Sequence, residues 1–326
     1  WRSNPGLLSP DSYFANPFTF AIADASFTVI ASLHKAAQSP VSGEKVPLDQ
    51  ARITSSIKSL AKYLGALDVG ICLLRPEFIY SHEGRYPDTY GEPIDLKHKF
   101  AVVMTFEMDH EMMGSSPKSP VVMESAHQYL EGARTSLQLA TAIHNLGYEA
   151  SAHYDGNYQV ICPPIARDAG LGEIGRMSIL ITPHQGPRVR LAIVTTDLPL
   201  MPDKPKIDVS VLDFCSICKK CATNCPAQAI LYNKREPYKG VDLWRINADA
   251  CYTYWTQCGT DCGHCMTVCP YAHASSFYHE IIRWGIRHSG FFRRSALLMD
   301  NLFYGKNPKP RPAPSWTKSA ITKQKH

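Results

Sequence analysis

Between residues 215 and 226 the sequence reads Cys215-Ser-Ile-Cys218-Lys-Lys-Cys221-Ala-Thr-Asn-Cys225-Pro226, and this run decides how the chain is organised. Its C-x2-C-x2-C-x3-C-P spacing is the one with which bacterial ferredoxins bind [4Fe-4S] clusters, and the fourth cysteine of such a run binds the other of two clusters. One run therefore predicts a partner run. The partner is Cys262-Gly-His-Cys265-Met-Thr-Val-Cys269-Pro270, whose leading cysteine lies upstream, at Cys251 or Cys258.

The ferredoxin crossing rule divides eight thiolates between two clusters. The first set consists of Cys215, Cys218, Cys221 and Cys269. The second set consists of Cys225, Cys262, Cys265 and either Cys251 or Cys258. Nine of the 11 cysteines lie between residues 215 and 269, and this shift in composition marks a domain. The remaining two, Cys72 and Cys162, are predicted to be small core residues.

Two other uses of clustered cysteines fit this pattern less well. Disulfide frameworks stabilise small secreted domains that lack a core, whereas this chain has 326 residues. Structural zinc sites use paired C-x2-C knuckles, and they need neither a third cysteine nor the prolines that follow Cys225 and Cys269. Two iron–sulfur clusters are therefore the predicted cofactors of this part of the chain.

Length and composition predict a compact protein of about two domains. Hydrophobic residues make up 44% of the chain and charged residues 19%, which argues against long disorder, a collagen-like repeat or a coiled coil. The formal net charge of +5 is spread along the sequence and is too small to indicate nucleic-acid binding. The longest apolar runs, over 100–106 and 177–181, fall far short of the ~20 residues that span a bilayer, so no transmembrane segment is expected.

The ends of the chain give weaker expectations. The sequence begins at Trp1 rather than at Met, which predicts that an N-terminal piece has been removed, together with any export signal. The location is therefore expected to be either exported and membrane-associated, in a mature form without its signal, or cytoplasmic. We expect three regions: a core over 1–204, a ferredoxin-like domain over 205–273, and a C-terminal segment over 274–326 that packs back on the core.

Periodic patterns outside the cysteine-rich part predict both helices and strands. Apolar residues at helical spacing predict helices over about 48–64 and 121–146, and Gly147 ends the second one. Short apolar runs over 69–74 and 100–106 and an alternating stretch over 188–198 predict strands. The mixture predicts an α+β fold of α/β-type mixed character, joined to the ferredoxin-like part through residues 199–208.

Two of these elements carry polar side chains that are expected to point inward. On the longer helix, Tyr129 shares one face with the apolar residues at 133, 137, 140 and 143, so its phenol should face whatever the core encloses. A buried hydroxyl needs a hydrogen-bond partner. On the alternating strand, Arg188 and Arg190 lie on the same face. A strand face with two arginines often only meets carboxylates.

The segment Gly170-Leu-Gly172-Glu-Ile-Gly175 matches the dinucleotide fingerprint G-x-G-x-x-G, but its context is wrong. That fold needs a strand before the glycines and a helix after them, whereas a strand-like stretch over 177–182 follows here. We therefore interpret the glycines as a loop whose bare backbone lies close against something flat or bulky.

Taken in order along the chain, several motifs resemble those of the corrinoid (cobalamin)-dependent reductive dehalogenases. Besides both cluster runs, they are Asn16-Pro-Phe-Thr-Phe20, Leu146-Gly-Tyr148, Asp168-Ala-Gly-Leu-Gly-Glu-Ile-Gly-Arg176, Ile181-Thr-Pro183, Gly186-Pro187, Thr196-Asp-Leu-Pro-Leu200 and Phe303-Tyr-Gly305. The resemblance covers most of the sequence.

This resemblance implies a nitroreductase-like core that encloses a base-off cobalamin, with a ferredoxin-like two-[4Fe-4S] domain docked against it. It implies reductive removal of halide from a small-molecule organohalide, an external low-potential electron donor and a membrane-anchor partner subunit. In the family's second cluster motif a cysteine stands well before the final run, at the place of Cys251, which favours Cys251 over Cys258 as the outlying ligand.

The resemblance also assigns roles to individual residues. The family's proton-donating tyrosine corresponds to Tyr129, with Tyr148, Tyr154 and Tyr158 nearby as alternatives, and its partner arginine corresponds to Arg190. The implied substrate pocket contains Asn157, Phe18, Thr19 and Trp255. The implied cofactor-binding loop contains Gly170, Gly172, Gly175 and Arg176.

The chemistry of such a reaction explains the residue types. Reductive cleavage of a carbon–halogen bond takes two electrons and one proton, and side chains cannot supply low-potential electrons. Iron–sulfur clusters can, because their potentials extend down to about −700 mV. A tyrosine keeps its proton at neutral pH, since its reference pKa is ~10, and an adjacent arginine favours the phenolate that is left after donation. Tyr129 and Arg190 are therefore expected to act together.

Two competing functions remain open at this point. An epoxyqueuosine reductase also joins a cobalamin core to two ferredoxin clusters, but it acts on tRNA and should show a more basic surface and a longer gap before the final cysteine run. The other alternative is a non-catalytic ferredoxin-type electron-transfer protein, whose large domain would only dock partners and would bind no corrinoid.

Overall fold

The computed structural model describes residues 3–85 and 88–318. Trp1, from which the loss of an N-terminal piece is predicted, lies outside these ranges, as does the end of the predicted C-terminal segment. The helices are Pro17–Leu33 (α1), Gln50–Tyr63 (α2), His110–Gly114 (α3), Pro120–Asn145 (α4), Cys162–Asp168 (α5), Val209–Cys218 (α6), Lys220–Thr223 (α7), Ala248–Cys258 (α8), His264–Thr267 (α9), Phe277–His288 (α10) and Gly290–Tyr304 (α11). The strands are Asp68–Leu73 (β1), Phe100–Glu107 (β2), Ala150–His153 (β3), Glu173–Ile174 (β4), Leu180–Ile181 (β5), Val189–Thr196 (β6), Glu236–Tyr238 (β7) and Val241–Leu243 (β8).

A four-stranded antiparallel sheet forms the centre of the core, in the order β1-β2-β6-β3. The strand β6 is buried because it pairs with β2 on one side and with β3 on the other. Its residues alternate between the two faces, as a strand requires. Ala192 and Val194 pack in the cluster with α4, whereas Ile193 and the half-buried Leu191 pack on the opposite face.

Helices cover both faces of this sheet, so the core has three layers. Apolar residues of α1, α2 and α4 pack on one face, including Ile30, Ile57 and Leu139. On the other face, Ile165 of α5 packs with Ile174 of β4 and Leu180 of β5. The predicted mixture of helices and strands in an α+β fold is confirmed.

The predicted elements of the core are present with small shifts at their ends. The helix expected over 121–146 is α4, whose C-cap is followed by Gly147 at φ +84°. The stretch expected as a strand over 177–182 contributes only the two residues of β5. Ser178, at φ +61°, lies in the tight connection between β4 and β5, so the chain turns there before it can pair.

The cysteine-rich part folds against the core through α6 to α9. Its buried residues, among them Phe214 and Met266, share one apolar cluster with Met108 and Val121 of the core. The same cluster takes in Ile286 of α10 and Ala296 of α11. A single continuous apolar interior therefore holds the cysteine motifs in place against the α3–α4 side of the core.

The C-terminal segment contacts two parts of the molecule. The antiparallel helices α10 and α11 pack on α6, where Arg293 also forms an ion pair with Asp213 at 2.8 Å. Beyond them the chain returns to the core, and the backbone N–H of Arg311 donates to the carbonyl of Gly114 at 2.8 Å. Among the described residues, none of the helices combines the length and the apolar character needed to cross a bilayer.

Candidate active site and cluster sites

The first set of cysteines comes together beside α6 and α7. Cys215, Cys218, Cys221 and Cys269 all line one small cavity, although Cys269 follows the others by almost 50 residues. Burial raises the pKa of Cys269 well above its ordinary value, and the nearby Cys215, Cys218 and Cys221 raise it further. Four free thiols that converge in this way fit one [4Fe-4S] cluster.

The second set converges on a larger cavity. Cys225, Cys251, Cys262 and Cys265 all contribute to the wall of a cavity of about 390 Å³. Burial raises the pKa of Cys265, and the neighbouring thiols that add to this shift are Cys262, Cys221, Cys251 and Cys225. Cys221 belongs to the first set, so the two sets approach each other between Cys221 and Cys265.

The thiols of Cys251 and Cys258 have different surroundings in the structure. Cys258 lies close to Cys251 and Cys262 and affects the pKa of both. It is fully buried, however, and its thiol donates to the carbonyl oxygens of Thr260 at 3.2 Å and of Trp255 at 3.6 Å. Cys251 makes no such backbone bond and lies in the cavity wall with the second set. Of the two candidates, Cys251 is therefore the one that faces a cluster-sized space.

Aromatic and apolar side chains form most of the remaining cavity wall. Tyr80, Tyr158, Tyr254 and Trp255 contribute rings. A second cavity of about 220 Å³ adjoins this one, because Pro163 and Ile246 line both. The combined space is wide and largely apolar, and it borders the second set directly, which fits a large planar redox cofactor.

Tyr129 and Arg190 both line this cavity, as expected from their faces on α4 and β6. The guanidinium carbon of Arg190 lies 4.5 Å from the centre of the Tyr129 ring, so the cation stacks on the phenol. Burial raises the pKa of Tyr129 to about 12, and Arg190 opposes that shift. The phenol therefore holds its proton firmly at neutral pH, next to a charge that would stabilise its phenolate.

The candidate proton-donating tyrosines differ in the hydrogen bonds of their hydroxyl groups and in their position relative to the cavity. Among the described residues, the Tyr129 hydroxyl forms no hydrogen bond to a protein group, and only burial and nearby charges shift its pKa. The Tyr158 hydroxyl, in the same cavity, donates to the Leu191 carbonyl at 3.1 Å, and the Tyr148 hydroxyl donates to the Val46 carbonyl at 3.0 Å. Tyr154 is buried and is not part of the cavity wall. Of Tyr129, Tyr148, Tyr154 and Tyr158, Tyr129 is thus the one that lines the cavity without a hydrogen bond from its hydroxyl to a described protein group.

Two residues that hold Arg190 were not identified from the sequence. The Nη2 group of Arg190 donates to Asp261 Oδ2 at 2.5 Å and to Ser125 Oγ. Ser125 precedes Tyr129 by one helical turn, so the i, i+4 relationship on α4 could have revealed it. Asp261 directly precedes the cluster ligand Cys262, and only this adjacency to the motif marks it.

The predicted substrate-pocket residues lie in different places. Trp255, on α8, is part of the cavity wall. Phe18 and Thr19 lie in the first turn of α1, where their backbone N–H groups donate to Asn16 Oδ1, and they do not line the cavity. The side-chain amide of Asn157 donates to the Ala152 carbonyl at 2.6 Å and is also outside the cavity wall.

The backbone of the glycine loop makes close contacts, as expected, but it makes them with other segments of the protein's own chain. A Cβ atom at Gly172 would come within 2.3 Å of the Ile181 carbonyl oxygen, and one at Gly175 within 2.4 Å of the Ile181 side chain. Gly170, at φ +76°, packs against the Lys204 carbonyl. None of the three lines the cavity. The contacts of Gly172 and Gly175 lie within the β4–β5 region, and that of Gly170 is with the segment that leads to the cysteine motifs.

Arg176 is directed to the first cluster set instead of the cavity. It is almost fully buried, and its guanidinium donates to the carbonyl oxygens of Cys215 at 3.1 Å, Leu231 at 3.0 Å and Asn233 at 3.1 Å. Arg188 has a comparable role, since it donates to the Ala272 carbonyl just beyond Cys269. Both arginines therefore link the backbone of the cysteine-rich part to the core through hydrogen bonds.

Comparisons with known proteins agree with this arrangement. A 4Fe-4S dicluster domain model matches residues 214–273, which confirms the prediction of two [4Fe-4S] clusters. The tetrachloroethene reductive dehalogenase of Sulfurospirillum multivorans is 31% identical over 293 residues, and that of Desulfitobacterium hafniense is 34% identical over 218 residues. These alignments cover 79% and 63% of this chain.

The fold of this chain is also similar to that of solved reductive dehalogenases. A solved reductive dehalogenase, described in terms of a mechanism for B12-dependent dehalogenation, superimposes with a TM-score of 0.79 at 28% identity, over 87% of this chain and 42% of its own. The chain spans 58% of the Sulfurospirillum protein and 38% of the Desulfitobacterium protein. In sequence and in fold, over the part of those proteins that it spans, this chain is similar to the reductive dehalogenases.

Proposed function

We propose that this chain removes halide reductively from an organohalide, with a corrinoid in the large cavity and electrons delivered through two [4Fe-4S] clusters. The observation that carries the proposal is the composition of one cavity wall. Tyr129 and Arg190 contribute to the same wall as Cys225, Cys251, Cys262 and Cys265. A proton source and an electron source therefore face the same space.

The clusters and Tyr129 can together provide the electrons and the proton that the overall reaction needs. One organohalide, two electrons and one proton give the dehalogenated product and a halide ion. The electrons arrive one at a time through the clusters. The proton comes from the Tyr129 hydroxyl, and Arg190 stabilises the phenolate that remains until solvent restores the proton.

The order of the two cysteine sets supports a direction for electron flow. The first set lies beside the exposed Ser216, whereas the second set lines the cavity. The two sets approach each other between Cys221 and Cys265. An external low-potential donor would therefore dock near α6 and reduce the first cluster, which passes electrons inward to the second.

The cavity suits a corrinoid in chemistry as well as in position. Its wall is mostly apolar, with 390 Å³ of space next to the second set and a further 220 Å³ beyond Pro163 and Ile246. A corrinoid bound there supplies the cobalt centre that accepts low-potential electrons and reacts with the carbon–halogen bond. The surrounding apolar side chains would exclude water, and Tyr129 and Trp255 would contact the substrate from the cavity wall.

The remaining assignments extend this proposal. The core over 1–204 would bind the corrinoid, residues 205–273 the clusters, and residues 274–326 would brace the cluster-bearing part. The resemblance to reductive dehalogenases supports a membrane-anchor subunit as a partner and an exported location, with a cytoplasmic one as the alternative. Of the predicted pocket residues, Trp255 would act in the cavity wall, and Gly172 and Gly175 would shape the connection that brings Met177 and Ile179 into that wall.

The proposal is tested with anaerobically reconstituted protein. Cobalamin and iron are supplied, a reduced viologen dye serves as donor, and halide release is measured across a panel of chlorinated and brominated alkenes and phenols. We expect corrinoid absorbance in the purified protein and halide release with at least one compound. Protein that carries both clusters but retains no corrinoid would favour a plain electron-transfer role. Corrinoid retention with turnover of epoxyqueuosine tRNA and of no organohalide would favour the tRNA-modifying alternative.

A further inference from the structure

Arg190 and Asp261 form an ion pair deep in the protein. The side chain of Arg190 is 17% exposed and that of Asp261 is 8% exposed, and their Nη2 and Oδ2 atoms are 2.5 Å apart. The pair joins two distant parts of the sequence, because Arg190 comes from β6 and Asp261 comes from the loop that leads into α9. It therefore connects the wall that carries Tyr129 with the backbone that carries the cluster ligand Cys262.

A buried pair of this kind is costly to build. Removing two charges from water can cost more than their attraction returns, so such pairs are weak evidence for stability. Here the cost is not fully offset, because Arg190 Nε and Asp261 Oδ1 are buried and have no hydrogen-bond partner among the described residues. A positional role explains the pair better than a stabilising role does.

The geometry indicates what is being positioned. Arg190 has a long side chain with many rotamers, yet its guanidinium must stay flat against the Tyr129 ring to affect that phenol. Only the Nη2 group is anchored, by Asp261 Oδ2 and by Ser125 Oγ on α4. Without the carboxylate, the guanidinium would keep one neutral anchor and could rotate into the open cavity.

We propose that Asp261 is a positioning residue, which fixes the Arg190 guanidinium over the Tyr129 ring and so ties the proton donor to the loop of the second cluster. This inference rests on the proposed function, because it assigns Asp261 a part in the same proton transfer. Asp261 also lines the cavity, but the proposal gives it no contact with the reacting atoms. Its proposed part in turnover is to hold Arg190, although its charge also raises the pKa of the Tyr129 phenol directly.

A double-mutant cycle tests whether Asp261 acts through Arg190. We expect Asp261→Asn to lower kcat about 10- to 100-fold, the scale of a small misplacement at a reacting centre, with little change in KM. In an Arg190→Leu background the same substitution should lower kcat no further. Asp11→Asn, at an exposed carboxylate, serves as the matched control. Equal losses in both backgrounds would overturn the proposal, and so would loss of iron from Asp261→Asn, since Asp261 would then hold the cluster loop itself.

Ser125→Ala gives a second variant on a different element, because Ser125 belongs to α4 and not to a cysteine motif. We expect a smaller loss of kcat that also vanishes in the Arg190→Leu background. A loss of equal size in that background would show that Ser125 acts by another route and would contradict the anchoring scheme.

A titration that needs no substrate separates this proposal from the proposed function. The groups that act on the Tyr129 phenol are Arg190 from β6, Asp155 after β3, Asp261 before α9 and Cys162 from α5. Asp261→Asn removes a negative charge that disfavours the phenolate, but it also frees the Arg190 guanidinium that favours it. In the Arg190→Leu background only the first effect remains, so there the phenolate should form at lower pH. With Arg190 present, displacement of its guanidinium should make that shift smaller or reverse it. Ultraviolet difference titration measures this, with the Tyr129→Phe form of each protein subtracted. Equal shifts in the two backgrounds would overturn the positioning role even if dehalogenation occurs. A smaller or reversed shift when Arg190 is present, without dehalogenation of any compound, would overturn only the proposed function.

Discussion

The Arg190 guanidinium stacks on the Tyr129 ring at 4.5 Å, so a strand residue and a helix residue meet face to face in the wall of one cavity. Two opposing effects act on the phenol there. Burial disfavours the phenolate and Arg190 favours it, and burial prevails because the pKa of Tyr129 rises to about 12. The site therefore keeps its proton until a strongly basic group forms next to it.

Replacing Tyr129 with Phe should abolish most of the turnover. The substitution removes only the hydroxyl, so both clusters and the corrinoid should remain bound, while halide release should fall about 100-fold or more. Tyr158→Phe is the matched control, since its hydroxyl is already engaged by the Leu191 carbonyl and should contribute little to turnover. If Tyr158→Phe were the inactive variant and Tyr129→Phe the active one, the donor would have to be reassigned.

The pH dependence of turnover should reflect the raised pKa of Tyr129. The protonated phenol is the active form, and it is lost only as pH rises through the pKa near 12. We therefore expect kcat to show no loss of the donor between neutral and moderately alkaline pH. Arg190→Leu removes a charge that lowers this pKa, so any alkaline limb should move further up, and the solvent isotope effect on kcat should increase as protonation slows. A decline near neutral pH that persists in Tyr129→Phe would point to another group.

Iron analysis should distinguish Cys251 from Cys258. Two [4Fe-4S] clusters require eight irons per chain. Cys258→Ser should retain all eight, because the Cys258 thiol is bonded to backbone carbonyls. Cys251→Ser should lose iron from the second cluster, with a corresponding loss of its electron paramagnetic resonance signal after reduction. The reverse pattern would exchange the two assignments.

A buried histidine should make the fold sensitive to acid. His153 is fully buried, its Nε2 lies 2.8 Å from Thr195 Oγ1, and burial lowers its pKa to about 3. The unfolded chain has an ordinary histidine pKa of ~6.5 and binds this proton more readily, so stability falls as pH drops below that value. Between pH 7 and pH 5 this one group should cost about 2 kcal/mol of the free energy of unfolding.

The control for that prediction is His153→Gln. This variant should be less stable at neutral pH, because it loses the fitted imidazole, but its free energy of unfolding should depend less on pH between 7 and 5. Chemical denaturation at both pH values measures the difference. Parallel pH dependences in the two proteins would show that the acid sensitivity comes from other groups.

Short-range patterns determined much of this protein from the sequence alone. The spacing of the cysteines identified the clusters and their crossing, because ligands to one cluster must follow a fixed spacing along the chain. Helical and alternating periodicity placed Tyr129 and Arg190 on inward faces, because each period is a property of a few consecutive residues. These features survived in the structure with shifts of only a few residues at the ends of elements.

Only the tertiary structure decided which of these residues meet. Arg190 contacts Ser125 and Asp261 across 65 and 71 positions of sequence, and nothing in a short window encodes such a pairing. The sequence also could not choose between Cys251 and Cys258, because the choice depends on the groups that surround each thiol in the fold. Nor could it show that the close partner of the glycine loop is another segment of the same chain. Contacts of this kind depend on how whole elements pack, so the sequence supplied the chemical groups and the packing of the core set their geometry.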